Sequence, residues 1–284
     1  MNWFKAFNDA LKYIEDHIME EISTDEVAKI AFCSKFHFLK TFTMLTGISL
    51  SEYIRNRRLS LAAAELVKSD VKVITIALQY GYETPESFTK AFKKLHGVAP
   101  SMARKEKAKL TTVMPLSFQI TIKGDERMDY RIEKRTPFKI VGMTKRVTSK
   151  NGENFKVLPK FWADVVADGR LDKLCEQSTT MLGVCYDHSA ELEEFSYMIG
   201  VEGLRVEGLD NQVILEVPEL TWAVFKSIGP LPDAIQRVWK KIYQEWFPAT
   251  NYEHANAPEL EVYLPGDSST EDYVCEVWIP IVEK

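Results

Sequence analysis

Apolar side chains recur at three- and four-residue spacing through the first 110 positions, and this period predicts amphipathic helices over Phe4–Ile18, Val27–Phe32, Phe36–Leu45, Tyr53–Val67, Ile74–Tyr80 and Phe88–Leu95. The punctuation agrees. Ser23 with Glu26 makes a capping box ahead of Val27, Thr84-Pro85 supplies an N-cap and a first-turn proline, and Gly47 and Gly97 stand where a helix-ending glycine belongs. From about Leu110 the pattern turns to strands. Leu116–Lys123 alternates, Gly124-Asp125 offers a turn, and Tyr130–Glu133 and Phe138–Val147 follow as strands, then a helix near Phe155–Val166 and strands near Met181–Tyr186 and Phe195–Val201. Beyond a turn-rich Glu202–Asn211 the order returns: strands Val213–Val217 and Leu220–Ile228, helix Pro232–Phe247, strands Glu259–Leu264 and Tyr273–Ile281. A β-α-β-β unit is thus expected twice.

The helical part repeats as well. Sliding the sequence by 50 positions lays Phe38, Lys40, Phe42 and Gly47 on Phe88, Lys90, Phe92 and Gly97. Each copy is a short helix, a tight turn (Phe32-Cys33-Ser34; Gly81-Tyr82-Glu83) and a second helix, the layout of a helix-turn-helix. The fold expected is an all-α double helix-turn-helix domain over 1–109, a connecting segment over 110–127, and an α+β domain over 128–284 with two β-α-β-β repeats around a ligand cleft. In the first copy Phe38, Phe42 and Leu45 pack inward, leaving Lys35, Phe36, Leu39 and Lys40 on the side that can enter a DNA groove. In the second, Phe88, Ala91, Phe92 and Leu95 form the apolar stripe, and Glu86, Thr89, Lys90 and Lys93 point away from it. Phosphate anchoring falls to Arg55, Arg57 and Arg58 on the connecting helix and to Lys93, Lys94, Arg104, Lys105, Lys107 and Lys109, although some of these arginines can instead stitch that helix to its neighbours.

Charge sharpens the division. The chain of 284 residues carries a net −5, which on its face speaks against nucleic acid. Residues 1–110 hold 17 Lys+Arg against 13 Asp+Glu, a net +4, and the remainder is −9. The four cysteines form no C-x-x-C pair, and H-E-x-x-H, P-loop and G-x-S-x-G patterns are missing from the sequence, so no metal or cofactor is expected. The amphipathic, acidic N-terminus and the lack of a long apolar run point to a cytoplasmic protein that does not enter a membrane.

Five of the six tryptophans lie after residue 110. Most of this aromatic content is expected to be core; Trp239 and Trp246, on the stripe of the Ile235–Trp246 helix, read as packing on the sheet. In Glu259–Leu264 the alternation puts Leu260, Val262 and Leu264 on one face and Glu261 and Tyr263 on the other. If the leucine face meets the helices, Glu261 and Tyr263 line the opposite face, either in a cleft between the two repeats or in solvent. A carboxylate among aromatic rings suits a cationic or amphipathic ligand.

Two resemblances add to this. Gly81-Tyr82-Glu83, Phe88-Thr89-Lys90-Ala91-Phe92-Lys93-Lys94 and Gly97-Val98-Ala99-Pro100-Ser101 resemble the signature of the AraC/XylS transcriptional activators, as does Ser51-Glu52-Tyr53-Ile54 with Arg58, Ala62 and Leu66. The resemblance implies a unit that inserts its two second helices into adjacent major grooves of a promoter, about 34 Å apart, with RNA polymerase as a further partner. Pro85 and Glu86 depart from many members, and the acidic side chain repels phosphate. The second resemblance runs through Met128–Glu133, Phe138–Gly142, Phe195–Gly200, Trp222–Phe225, Glu245-Trp246, Glu261–Tyr263 and Glu276–Pro280, which are similar to the GyrI-like effector-binding domain. It implies capture of a small-molecule effector, with a glutamate matching Glu261 touching the ligand and Tyr197, Trp222, Tyr263 and Trp278 as pocket candidates. The function expected is a DNA-binding regulator rather than an enzyme. A GyrI-like hydrolase using Glu261 and a neighbouring tyrosine as acid and base, or a protein-interaction domain, is the alternative.

Overall fold

A computed structural model describes residues 3–105, 109–118, 128–149, 152–189 and 194–284. The chain divides into two compact units, Met1–Lys35 with Leu50–Thr121, and Phe36–Ser49 with Ile122–Lys284. The division does not follow the chain, because most of one predicted reading helix belongs with the second unit.

In the first unit the predicted helices form as α1 (Trp3–Asp16), α2 (Thr24–Ile30), α4 (Leu50–Lys68), α5 (Val73–Gln79) and α6 (Pro85–His96), followed by a short α7 (Pro100–Lys105); α3 (Lys35–Thr46) begins at the unit's edge. The caps are those read from the sequence. Ser23 Oγ accepts from the Glu26 amide, and Thr84 Oγ1 accepts from the Ser87 amide with Pro85 in the first turn. Gly97 closes α6 at φ 77°, a backbone conformation that a side chain resists. Leu59, Ala62, Ala63 and Leu66 of α4 pack with Ile76, Ala77, Phe88, Phe92 and Ala103 in one buried cluster, and Tyr80 donates to Glu65 at 2.9 Å.

The strand expected from Leu116 does not form among the described residues, and 119–123 lie outside them. Residues 109–118 form neither helix nor strand, and several of their backbone groups are satisfied by side chains instead of a ladder. The Phe118 amide donates to Asn8 Oδ1 at 2.8 Å, the Leu116 amide to the Tyr53 hydroxyl at 3.0 Å, and the Val113 amide to Ser60 Oγ at 3.0 Å. The alternation read there serves packing along α1 and α4, with Phe118 on the Phe7 ring at 5.2 Å.

Among the described residues the second unit carries nine strands: β1 (Tyr130–Arg135), β2 (Phe138–Thr148), β3 (Met181–Ser189), β4 (Glu194–Glu202), β5 (Val213–Val217), β6 (Leu220–Ile228), β7 (Tyr252–His254), β8 (Glu259–Tyr263) and β9 (Val274–Glu283). They lie in one sheet in the order β1-β6-β9-β8-β3-β4-β2-β5, with β7 on β9, and every pair is antiparallel. Each half is one β-α-β-β copy, β2, β3 and β4 against β6, β8 and β9, and the first strand of each copy crosses over: β1 caps β6 and β5 caps β2. The β3–β8 pair joins the halves. The helices are α8 (Asn154–Ala167), α9 (Arg170–Gln177), α10 (Asp233–Lys241) continuing through a π turn to Trp246, and the short α11 (Phe247–Ala249).

The sheet is curled. Side chains of β2 and β6, distant in strand order, meet on its inner face, where Ile140, Leu182, Val184, Met198, Trp222, Val224, Leu260 and Trp278 form one cluster. The helices cover the outer face in two further clusters, one around Trp239, Tyr243, Phe247 and Val277, the other around Phe161, Val165, Tyr197 and Ile199. This corrects the expected orientation of β8. Leu260 and Val262 point into the curl, away from the helices. Glu261 and Tyr263 are therefore on the helix-covered side.

Candidate functional site

Residues 259, 261 and 263 share one face of β8 because strand side chains alternate. Both carboxylates are buried, Glu259 at 1% and Glu261 at 8% exposure. Bare buried carboxylates are costly, so each needs donors. Glu261 Oε2 accepts from the Tyr197 and Tyr263 hydroxyls at 2.9 and 2.8 Å, and Oε1 accepts from the Trp239 indole at 2.9 Å. Trp162 on α8 in turn donates to the Tyr197 hydroxyl at 3.1 Å and stands edge-on to Tyr263 at 5.3 Å. Burial and the adjacent Glu261 charge push both tyrosine hydroxyls well above their ordinary pKa. They therefore stay protonated and keep donating.

Gly183 makes this arrangement possible. It sits opposite Glu261 in the β3–β8 register, and a Cβ there would overlap the Tyr197 hydroxyl and come within 2.9 Å of Glu261 Oε2.

Glu259 has a different set of partners. Tyr243 donates to Oε1 at 3.1 Å, His254 Nε2 lies 3.2 Å from Oε1, and His188 Nε2 lies 3.8 Å from Oε2. The charge that balances it comes from α3: Lys40 Nζ donates to Oε2 at 2.9 Å and stands 5.4 Å from the centre of the Trp239 ring. Burial would raise the Glu259 carboxyl, but the Lys40 ammonium together with His254 and His188 holds the group below the usual carboxylate range. Burial likewise opposes the Lys40 charge, and Glu259, with Cys185 and Glu261, more than restores it. His188 is brought down to about 3 by burial and by Lys40, so its ring is neutral at neutral pH. One turn earlier on α3, the Phe36 ring is flanked by His188 at 5.1 Å and His254 at 4.7 Å. His37 meets Phe247 edge-on at 4.6 Å and accepts from the His254 amide at 3.3 Å.

The sequence candidates are thus sorted by the fold. Glu261, Tyr263 and Tyr197 come together with Trp239 and Trp162. Trp222 and Trp278 do not join them, because they pack against each other at 5.9 Å on the inner face of the curl. Trp278 there stands beside the Arg131 and Arg135 guanidiniums at 5.5 and 5.7 Å. Sequence reasoning missed Glu259, His188, Tyr243 and His254. Glu259 carried a usable signal, two positions before Glu261 on the same strand; the others arrive from separate elements.

Of the DNA candidates, Glu86, Lys90 and Lys93 are exposed on α6 and Thr89 is half-buried. Lys35 lies 3.5 Å from Asp25, and Arg55 lies 3.8 Å from Glu52. Leu39 is half-buried on α3, while Phe36 and Lys40 are engaged as described. Arg57 and Arg58 serve the stitching role: Arg57 pairs with Glu15 at 2.6 Å, and Arg58 donates to the Ile18 and Glu20 carbonyls at 2.6 Å. Arg104 is also spent on carbonyls, those of Leu66 and Val71. Lys107 lies outside the described residues.

A family model described as integron-associated effector binding protein, Cass2, matches residues 131–281. The chain belongs to the Cass2 family. A helix-turn-helix domain model matches residues 27–106, so the Cass2 domain follows an AraC-type helix-turn-helix domain. The HTH-type transcriptional activator AarP of Providencia stuartii is 37% identical over 97 residues, covering 34% of this chain and 72% of AarP. The uncharacterized HTH-type transcriptional regulator YbfP of Bacillus subtilis (strain 168) is 40% identical over 104 residues, covering 37% of this chain and 35% of YbfP. The chain thus spans about a third of YbfP's length. A solved structure of SAV2435 bound to tetraphenylphosphonium is 21% identical, with a TM-score of 0.49, covering 55% of this chain and 94% of that one. Among the described residues no helix is long and apolar enough to cross a membrane.

Proposed function

We propose that the chain regulates transcription: its AraC-type helices bind duplex DNA, and its Cass2 domain captures an organic cation that carries apolar surface. The observation that carries the effector half is Glu261, a buried carboxylate with aromatic donors on three sides, two of them tyrosines held protonated. Such a group can compensate a cation's lost hydration by direct charge pairing and ring faces. The DNA half rests on the family and on the exposed lysines of α6. Activation follows the named function of AarP; RNA polymerase is the partner we propose for it, and the chain acts by binding rather than by turnover.

The test has two arms on the full chain. Selection from random duplexes should yield a consensus whose binding weakens steeply with salt, as counterion release requires; salt-insensitive or absent DNA binding removes the regulator reading. Titration of a set of organic cations against tryptophan fluorescence should find ligands whose binding Glu261→Gln weakens at least tenfold. Steady consumption of such a compound, abolished by the same substitution, would instead assign an enzyme.

A further inference from the structure

Helix α3 offers the Cass2 domain two groups that together resemble a ligand: an aromatic ring, Phe36, and, four residues on, an ammonium, Lys40. Residues at this spacing sit on one side of a helix about 5–6 Å apart. The ring is flanked by two neutral imidazoles, and the ammonium is met by Glu259 with Tyr243 and the Trp239 face around it. The Lys40 side chain is 21% exposed and that of Glu259 is fully buried. The carboxylate was therefore desolvated for a cation, and helix burial alone does not call for one: an apolar residue at position 40 with an uncharged residue at 259 would pack without the desolvation cost.

We propose that Glu259 is an ammonium subsite of the effector cleft, that Lys40 and Phe36 occupy it as a tethered internal ligand, and that an arylalkylammonium effector binds by replacing them and releasing α3. The effector is thus narrowed to one primary ammonium and one aryl group about a helical turn apart. Effector capture is coupled to DNA reading because the displaced side chains are two of those with which α3 would contact a groove. The inference rests on the effector reading of the Cass2 domain and adds to it the occupant, the second carboxylate and the mode of coupling.

The experiment uses the full chain and 4-phenylbutylammonium as probe, with 4-phenylbutanol as the uncharged control. Amide hydrogen exchange over 35–46 should rise when the probe is added and stay unchanged with the alcohol. Lys40→Met should tighten probe binding about tenfold or more, since a tethered competitor seated nine-tenths of the time lowers apparent affinity by that factor. Because Lys40→Met leaves a buried charge unpaired, the isocharged pair Lys40→Met with Glu259→Gln provides a folded control. It should show fast exchange of α3 without probe and bind the probe at least tenfold more weakly than Lys40→Met. Probe binding that leaves α3 exchange unchanged and is indifferent to Lys40→Met overturns the tethered-ligand inference while the effector reading stands. Failure of Lys40→Met, shown folded by its thermal transition, to bind the probe overturns the ammonium subsite. If other organic cations also leave its tryptophan signal unmoved, the effector reading fails with it.

Discussion

Gly183→Ala tests whether the Glu261 cluster is built as described. The new methyl overlaps the Tyr197 hydroxyl and meets Glu261 Oε2 at 2.9 Å, in a strand flanked on both sides by partners, so the tyrosine must swing away and give up its bond to the carboxylate. Crowding a packed interior costs about 1–3 kcal/mol, and losing a hydrogen bond to a charged acceptor costs about 1.5–3 kcal/mol. Restricting the unfolded chain returns about 0.4–1 kcal/mol. The net loss is about 2–5 kcal/mol, read as a lower urea midpoint with unchanged slope. Tryptophan fluorescence is the probe, because five of the six tryptophans lie after residue 110. Tyr197→Phe alone loses the bond but removes the atom that the methyl strikes. The double variant should therefore fall below Tyr197→Phe by less than Gly183→Ala falls below the parent, since the hydroxyl clash is gone and the contact with Glu261 Oε2 remains, a strongly non-additive cycle. A Gly183→Ala protein within about 0.5 kcal/mol of the parent, or a double variant whose losses simply add, would refute the geometry.

Other consequences are open to direct measurement. Arg57→Met strands the half-buried Glu15 and frees the Val113 carbonyl, so the helical unit should lose about 2–4 kcal/mol and amide exchange should quicken over 113–118. Burial would raise the Glu15 carboxyl, but Arg57 and Tyr53 together hold it below its ordinary value. Its contribution is therefore present above the unfolded pKa of about 4.3 and is lost as pH falls through the lower folded value; Glu15→Gln should flatten the acid limb of stability against pH. His188 acts in the same direction but from a higher pH. With its folded pKa near 3, surrounded by Lys40, Glu259, His254 and Arg146, the unfolded chain takes the proton first, so stability declines as pH drops below about 6.5 towards 3, and His188→Asn should make that decline shallower. On α6, Lys90→Ala and Lys93→Ala should each weaken binding to all duplexes and reduce the salt slope by about one.

The helices, their caps and both duplications were legible because each is written in local spacing: Thr84-Pro85 and Gly97 punctuate α6 whatever surrounds it. Strand order was not, since β1 pairs with β6 and β5 with β2 across the repeat, a swap that leaves the alternation of each strand unchanged. The same limit governs β8. Alternation separates Glu261 and Tyr263 from Leu260 and Val262, but which face meets helices depends on the direction in which the sheet curls. The GyrI-like resemblance implies Trp222 and Trp278 as pocket neighbours of Glu261, and the curl puts them on the other side. Gly183, Trp239 and Tyr197 reach Glu261 from β3, α10 and β4, and no spacing in the sequence records that convergence.

The charge asymmetry acquires a different meaning once partners are known. A net +4 over residues 1–110 suggests a surface ready for phosphate, yet Arg57, Arg58 and Arg104 are bound to Glu15 and to backbone carbonyls, and Lys40 is neutralised by Glu259. Among the described residues α6 keeps its exposed candidates Lys90 and Lys93, although its first turn carries the repelling Glu86. A regulator so arranged gains reading charge when α3 is released. If the released Lys40 meets a phosphate, the salt slope of operator binding should be steeper by about one with saturating arylalkylammonium than without it. With Lys40→Met the two slopes should coincide. An effector that raises affinity at every salt concentration by one constant factor would mean instead that it acts on packing or orientation, and that the Lys40 charge never reaches the duplex.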